Sequence, residues 1–129
     1  MSVVGPGELE FRDFPGRSTA NPFRQAGRGA STVRQVVIEH VSSRSPHLHP
    51  LSEEIVYVVS GRGRVWLDGV FHPVGPGHWY RIPVGTPHAT LADQGERMSL
   101  ICFFPHDDFA NNIEELDLLL KTVKEEDID

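Results

Sequence analysis

The chain has a single cysteine, Cys102, so no intramolecular disulfide can brace it and no multi-cysteine zinc or iron–sulfur site can form. That thiol sits in the apolar run Leu100-Ile101-Cys102-Phe103-Phe104 and is expected to be a buried core group rather than a nucleophile. No stretch approaches the ~18 apolar residues of a membrane span. Residues 1–14 lack the basic start and apolar centre of a secretory signal, so the expectation is no membrane partner and a cytoplasmic setting. Positive charge is also scarce, with 12 Lys plus Arg against 18 Asp plus Glu. Nine of those acids fall between His106 and Asp129, where only Lys121 and Lys124 oppose them, and the rest of the chain is close to neutral. Without a broad basic face for a phosphate backbone, nucleic acid is not the expected partner. Scattered arginines, Arg12, Arg17, Arg24 and Arg28, remain available to a small anionic ligand.

Turn-forming residues are plentiful: 12 Gly and 10 Pro in 129 residues point to many short strands and an all-β domain spanning residues 1–129. Residues 1–30 read as an extended arm, in which Leu9, Phe11 and Phe14 offer a short strand to this body or to a neighbouring subunit. Residues 32–105 read as the strand-rich body. Its β-forming runs are Thr32–Val41, Glu54–Val59, Arg64–Leu67, Val70–Val74, Trp79–Ile82, His88–Leu91 and Met98–Phe104. Glu54–Val59 and Arg64–Leu67 look like one hairpin, and Asp68-Gly69 marks a type I′ turn into the next strand. Seven strands divided by turns predict a sandwich or barrel. Residues 108–125 change period: Ile113, Leu116, Leu120 and Val123 fit one face of an amphipathic helix, with Asn112 and Glu115 as its capping box.

The most informative stretch is His47-Leu48-His49-Pro50-Leu51-Ser52-Glu53-Glu54. A strand turns residues i and i+2 to one side, so His47 and His49 can share an ion, although such a pair also occurs as plain surface polarity. The segment resembles the first motif of the cupin superfamily, His-x-His followed by a Glu and then, after six intervening residues, a Gly, with Glu54 keeping that spacing to Gly61. Gly77 followed by Pro83-Val84-Gly85-Thr86-Pro87-His88 resembles the second. Two departures leave the ligands intact: Val41 stands where a glycine is frequent, and Ala92 where an Asn closes the second motif.

The resemblance implies a double-stranded β-helix, or jelly-roll barrel, holding one divalent transition metal (Fe, Mn, Ni, Co or Zn) on His47, His49, Glu54 and His88. Glu53 is the alternative to Glu54. Three imidazoles and a carboxylate leave positions open for exchange on an octahedral ion. The expected function is a metal-dependent enzyme, a dioxygenase or an isomerase or lyase, acting on a small polar, oxygen-rich substrate. The alternative is a non-catalytic module that binds a sugar or small acid. Tyr57, Tyr80 and Arg81 are candidate substrate contacts, while His40, His72, His78 and His106 lie outside both motifs. A homodimer is the expected assembly.

Overall fold

The computed structural model describes residues 3–23 and 27–121. After a 3-10 turn at Pro6–Glu8 come thirteen strands: β1 Arg12–Phe14, β2 Arg17–Ala20, β3 Thr32–Glu39, β4 Ser43–Arg44, β5 His47–Leu48, β6 Glu54–Ser60, β7 Gly63–Leu67, β8 Val70–Val74, β9 Trp79–Ile82, β10 His88–Ala92, β11 Arg97–Phe104, β12 Glu114–Glu115 and β13 Leu120–Lys121. Six form one antiparallel sheet in the order β1-β2-β3-β11-β6-β9, and five form a second in the order β12-β5-β10-β7-β8. Between them lies one apolar core drawn from both sheets, including Val36, Val56, Val65, Val74, Leu100 and Phe104. Strand alternation creates it. In β6 the buried residues are Glu54, Val56 and Val58, while Ile55 and Tyr57 between them face outward. The protein is therefore all-β, with the facing sheets of a jelly roll.

All seven predicted strands are present, but one pairing differs from the sequence expectation. β6 and β7 are not a hairpin: β6 pairs with β11 and β9, whereas β7 pairs with β10 and β8 in the other sheet. The chain turns this corner at Gly61, whose φ of +83° is open to glycine and where a Cβ would overlap the backbone of Arg97. The Asp68-Gly69 hairpin does form, with φ of 43° and 95°, joining β7 to β8.

The arm is more regular than a Gly- and Pro-rich segment implies. β1 and β2 make a hairpin across Pro15-Gly16, and β2 extends the six-stranded sheet along its own chain's β3. The C-terminal helix expected over residues 108–125 is absent from residues 108–121, and residues 122–125 lie outside the described residues. Glu114–Glu115 pairs instead with β5 and Leu120–Lys121 with β4, while the Leu116 amide donates to the Pro46 carbonyl. An isolated helix this short is marginal in water, and here the open edges of β4 and β5 offer the backbone better partners. No helix among the described residues is long and apolar enough to cross a membrane.

Candidate metal centre

Three imidazoles meet where the two sheets face each other. Antiparallel pairing sets His47 of β5 directly across from His88 of β10, with ring centroids 4.5 Å apart. His49 follows β5 and lies 5.0 Å from the His47 ring and 4.9 Å from the His88 ring. One ring nitrogen from each falls within 4.8 Å of the others, close enough to share an ion. Glu54 reaches the cluster from the opposite sheet, at the start of β6, with Oε1 3.2 Å from Nε2 of both His49 and His88. The loop carrying the second motif is tied to the first: the Gly85 amide donates to the His49 carbonyl at 2.9 Å.

Hydrogen bonds fix the tautomers of two of the rings. Nδ1 of His49 lies 2.6 Å from the Asn112 carbonyl oxygen, and Nδ1 of His88 lies 2.9 Å from that of Thr86. A carbonyl only accepts, so both Nδ1 atoms donate, and a neutral ring then keeps its lone pair on Nε2. Those two Nε2 atoms are buried and make no hydrogen bond, for Glu54 lies at ion-pair distance but out of line. Two lone pairs and a carboxylate, all acceptors, converge in a buried space. A divalent cation satisfies all three at once, so this donor set fits one.

The electrostatics agree with that fit. Burial, reinforced by His88 and His49, lowers His47 to a pKa of about 3, which keeps its imidazole neutral and able to ligate at neutral pH. Burial alone would raise the Glu54 carboxyl, but His49 and His88 outweigh it and hold the group below the usual carboxylate range. Cys102 lines the same cavity, yet burial and the Glu54 charge push its thiol well up, leaving it an inert wall.

The cavity is small, about 60 Å³, and is lined by the imidazoles and Glu54 together with the apolar side chains of Val36, Leu100, Phe104, Phe109 and Ile113. Of the expected substrate contacts, Tyr80 faces it. Its hydroxyl lies 2.6 Å from the Thr90 hydroxyl, and burial raises its pKa well above the usual value, so it stays protonated. Tyr57 and Arg81 point the other way, Tyr57 against Trp79 at 4.4 Å between ring centroids and Arg81 in an exposed ion pair with Glu53 at 3.1 Å. Alternation thus sends Glu53 and Glu54 to opposite sides, and Glu54 is the one beside the imidazoles. Of the remaining histidines, His40 bonds the Ala92 carbonyl, His78 caps the Gly75 turn and His106 bonds the Asp108 amide.

Asn112 was not among the site residues read from sequence, where it is the first residue of a capping box. It is fully buried, and besides its carbonyl bond to His49 its Oδ1 accepts from the Leu51 amide and its Nδ2 donates to Ser52 Oγ, both at 2.8 Å. It clamps the loop between the first histidine pair and Glu54. Nothing local signals this role, since its partners lie sixty or more residues away. Arg34 also lines the cavity, and its parity with Val36 and Ile38 on β3 is the sequence signal that turns it inward.

Comparison with known proteins bears on the same region. The family model for the cupin domain matches residues 34–104. Polyketide synthase CurC of Streptomyces cyaneus is 43% identical over 56 residues, 42% of this chain and 36% of that protein, so the match spans little more than a third of the relative's length. Among solved structures, KdgF from Halomonas sp. superposes with a TM-score of 0.69 at 25% identity, covering 84% of this chain and 96% of that one. The polyketide cyclase RemF from Streptomyces resistomycificus gives a TM-score of 0.70 at 19% identity over 98% of this chain and 89% of its own, a likeness of fold.

Proposed function

The chain belongs to the cupin family, and from that premise we propose that it is a metal-dependent enzyme acting on a small, oxygen-rich molecule, by isomerase or lyase chemistry or by dioxygenase chemistry. The observation that carries the proposal is the pair of buried, unpartnered Nε2 atoms of His49 and His88 facing the Glu54 carboxylate in a cavity between the sheets. His47, His49, His88 and Glu54 would hold one divalent transition metal. When bound, that ion supplies Lewis acidity toward an oxygen of the substrate.

The chain's own groups supply the rest. Carbonyls of Asn112 and Thr86 orient the rings, and the apolar wall of Leu100, Phe104 and Phe109 excludes water. Tyr80 keeps a proton at its hydroxyl beside Thr90, at a position where a developing substrate oxyanion would receive a hydrogen bond. That proton supports the isomerase or lyase branch. Similarity to a polyketide synthase supports a substrate of polyketide type, a carbon chain bearing several carbonyl or enol oxygens. A homodimer is part of the same proposal.

Elemental analysis of the purified protein beside His49→Ala and Glu54→Gln tests the centre. A stoichiometric first-row metal in the wild type, lost from both variants, is expected. Absence of metal after incubation with iron, manganese, nickel, cobalt and zinc would remove the catalytic proposal. Turnover of hydroxy-acids and poly-carbonyl compounds by the loaded protein, under air and under nitrogen, then separates the branches. Tight binding without conversion would mark a binding module instead.

A further inference from the structure

The cavity carries more positive charge than its surroundings neutralise. Arg34 points inward by the pleat of β3, and Arg17 stands opposite Ile38 on β2 and so shares that face. Arg44 enters the same space from β4, and Arg17 and Arg44 also line the adjoining surface depression beside Phe14, Ser43 and Glu115. Nε of Arg17 and both Nε and Nη2 of Arg44 are buried without a hydrogen-bond partner. None of the three guanidiniums forms an ion pair among the described residues. Burial lowers the pKa of Arg34 and Arg44, and the charge of Arg17 lowers both further; Glu54 and Glu115 are the acids that oppose this.

Local structure holds the group in place. Gly16, at φ +70°, closes the turn before Arg17, and a Cβ there would overlap Val41, so only glycine lets the hairpin approach closely enough to deliver that arginine. Phe109 lies 4.1 Å from the Arg34 guanidinium, a cation–π contact that fixes its plane. Buried guanidinium N–H groups without acceptors are costly to a fold, and a planar oxyanion accepting from them in pairs removes that cost.

We infer that Arg17 and Arg44, together with Arg34, form a carboxylate-binding subsite beside the metal centre, and that the substrate is an organic acid whose apolar body lies on Leu100, Phe104 and Phe109. The assignment rests on the metal-dependent reading above for what happens to the acid, but not for its capture.

The test is calorimetric titration of the full chain with 3-phenylpropanoate and its neutral counterpart 3-phenylpropanamide, in metal-loaded and in chelator-treated protein. The carboxylate should bind at least tenfold more tightly than the amide in both states. That ratio should collapse toward one in Arg17→Gln and Arg44→Gln, and be partly retained in Arg17→Lys and Arg44→Lys, which keep the charge but lose the fork. Each variant is compared at the metal content of the wild type, which serves as the folding control. Equal binding of acid and amide, a preference confined to the metal-loaded protein, or an unchanged ratio in both glutamine variants would overturn the subsite. Loading of metal without a carboxylate preference sinks this inference alone, whereas a preference in protein that takes up no metal sinks the metal reading alone.

Discussion

At the scale of single residues, the centre depends on atoms that never touch an ion. Asn112→Ala removes the acceptor of the Leu51 amide and the donor to the buried Ser52 hydroxyl, and leaves a gap where a fully buried side chain stood. A loss of about 2 kcal/mol is expected, with metal affinity down roughly 10–100-fold because the segment that carries the residue-112 carbonyl to His49 loses its anchor on the Leu51–Ser52 loop; urea denaturation and a chelator competition measure the two. His47 gives the metal-free protein a pH dependence of defined sign. Its folded pKa of about 3 lies below the ordinary 6.5, so the unfolded chain takes the proton first. This contribution to stability is whole above pH 6.5 and drains away as pH falls toward 3. Urea midpoints between pH 7 and 4 should decline accordingly, and His47→Gln should flatten that slope. That His47, His49, Glu54 and His88 would come together was legible because motif spacing and strand parity are local properties. Asn112 was not, since the same Asn-x-x-Glu pattern serves a helix cap equally well and only distant contacts decide between them.

At the scale of elements, sequence period located the strands but not their partners. Runs such as Glu54–Val59 and Arg64–Leu67 announce themselves by β-branched residues, yet the four residues between them serve a hairpin or a corner alike. What makes the corner is tertiary: Gly61 lies against Arg97 of β11 too closely for a side chain. Gly61→Ala combines that overlap with a left-handed φ, and a destabilisation of about 2 kcal/mol or more is expected by thermal or urea melting. Gly69→Ala, where a Cβ meets open space, should cost only the backbone strain and so lose less. The same lesson applies past residue 108. A three- and four-residue apolar spacing is a helix signal only while nothing else competes for the backbone, and here strand edges do. Ile113, Leu116 and Leu120 are half-buried while Leu118 and Leu119 between them are exposed, so the apolar spacing marks what the segment buries, but an extended chain paired with β5 and β4 presents it and not a helix.

On the scale of the whole molecule, the outer face of the six-stranded sheet is as apolar as the inner face is functional. Pairing aligns Phe103 with Ile55 and Ile101 with Tyr57, and Trp79 beyond them is 68% exposed. A second copy of this chain is the expected cover: sedimentation at micromolar concentration should give a dimer, and Trp79→Glu should give a monomer that still binds metal. A monomeric wild type would remove the homodimer from the proposed function without touching the centre. The clamp from Asn112 to His49 reaches across sixty-three residues of chain, and a ribosome makes those residues in order. While residue 112 is still to be translated, His49 has no acceptor for its Nδ1 proton, and the loop toward Glu54 hangs from one end. A nascent chain therefore holds these histidines loosely, and the centre is complete only after residue 112 has emerged. On the metal-dependent reading proposed above, any ion would then be drawn from what surrounds a finished fold, not from what surrounds it during synthesis.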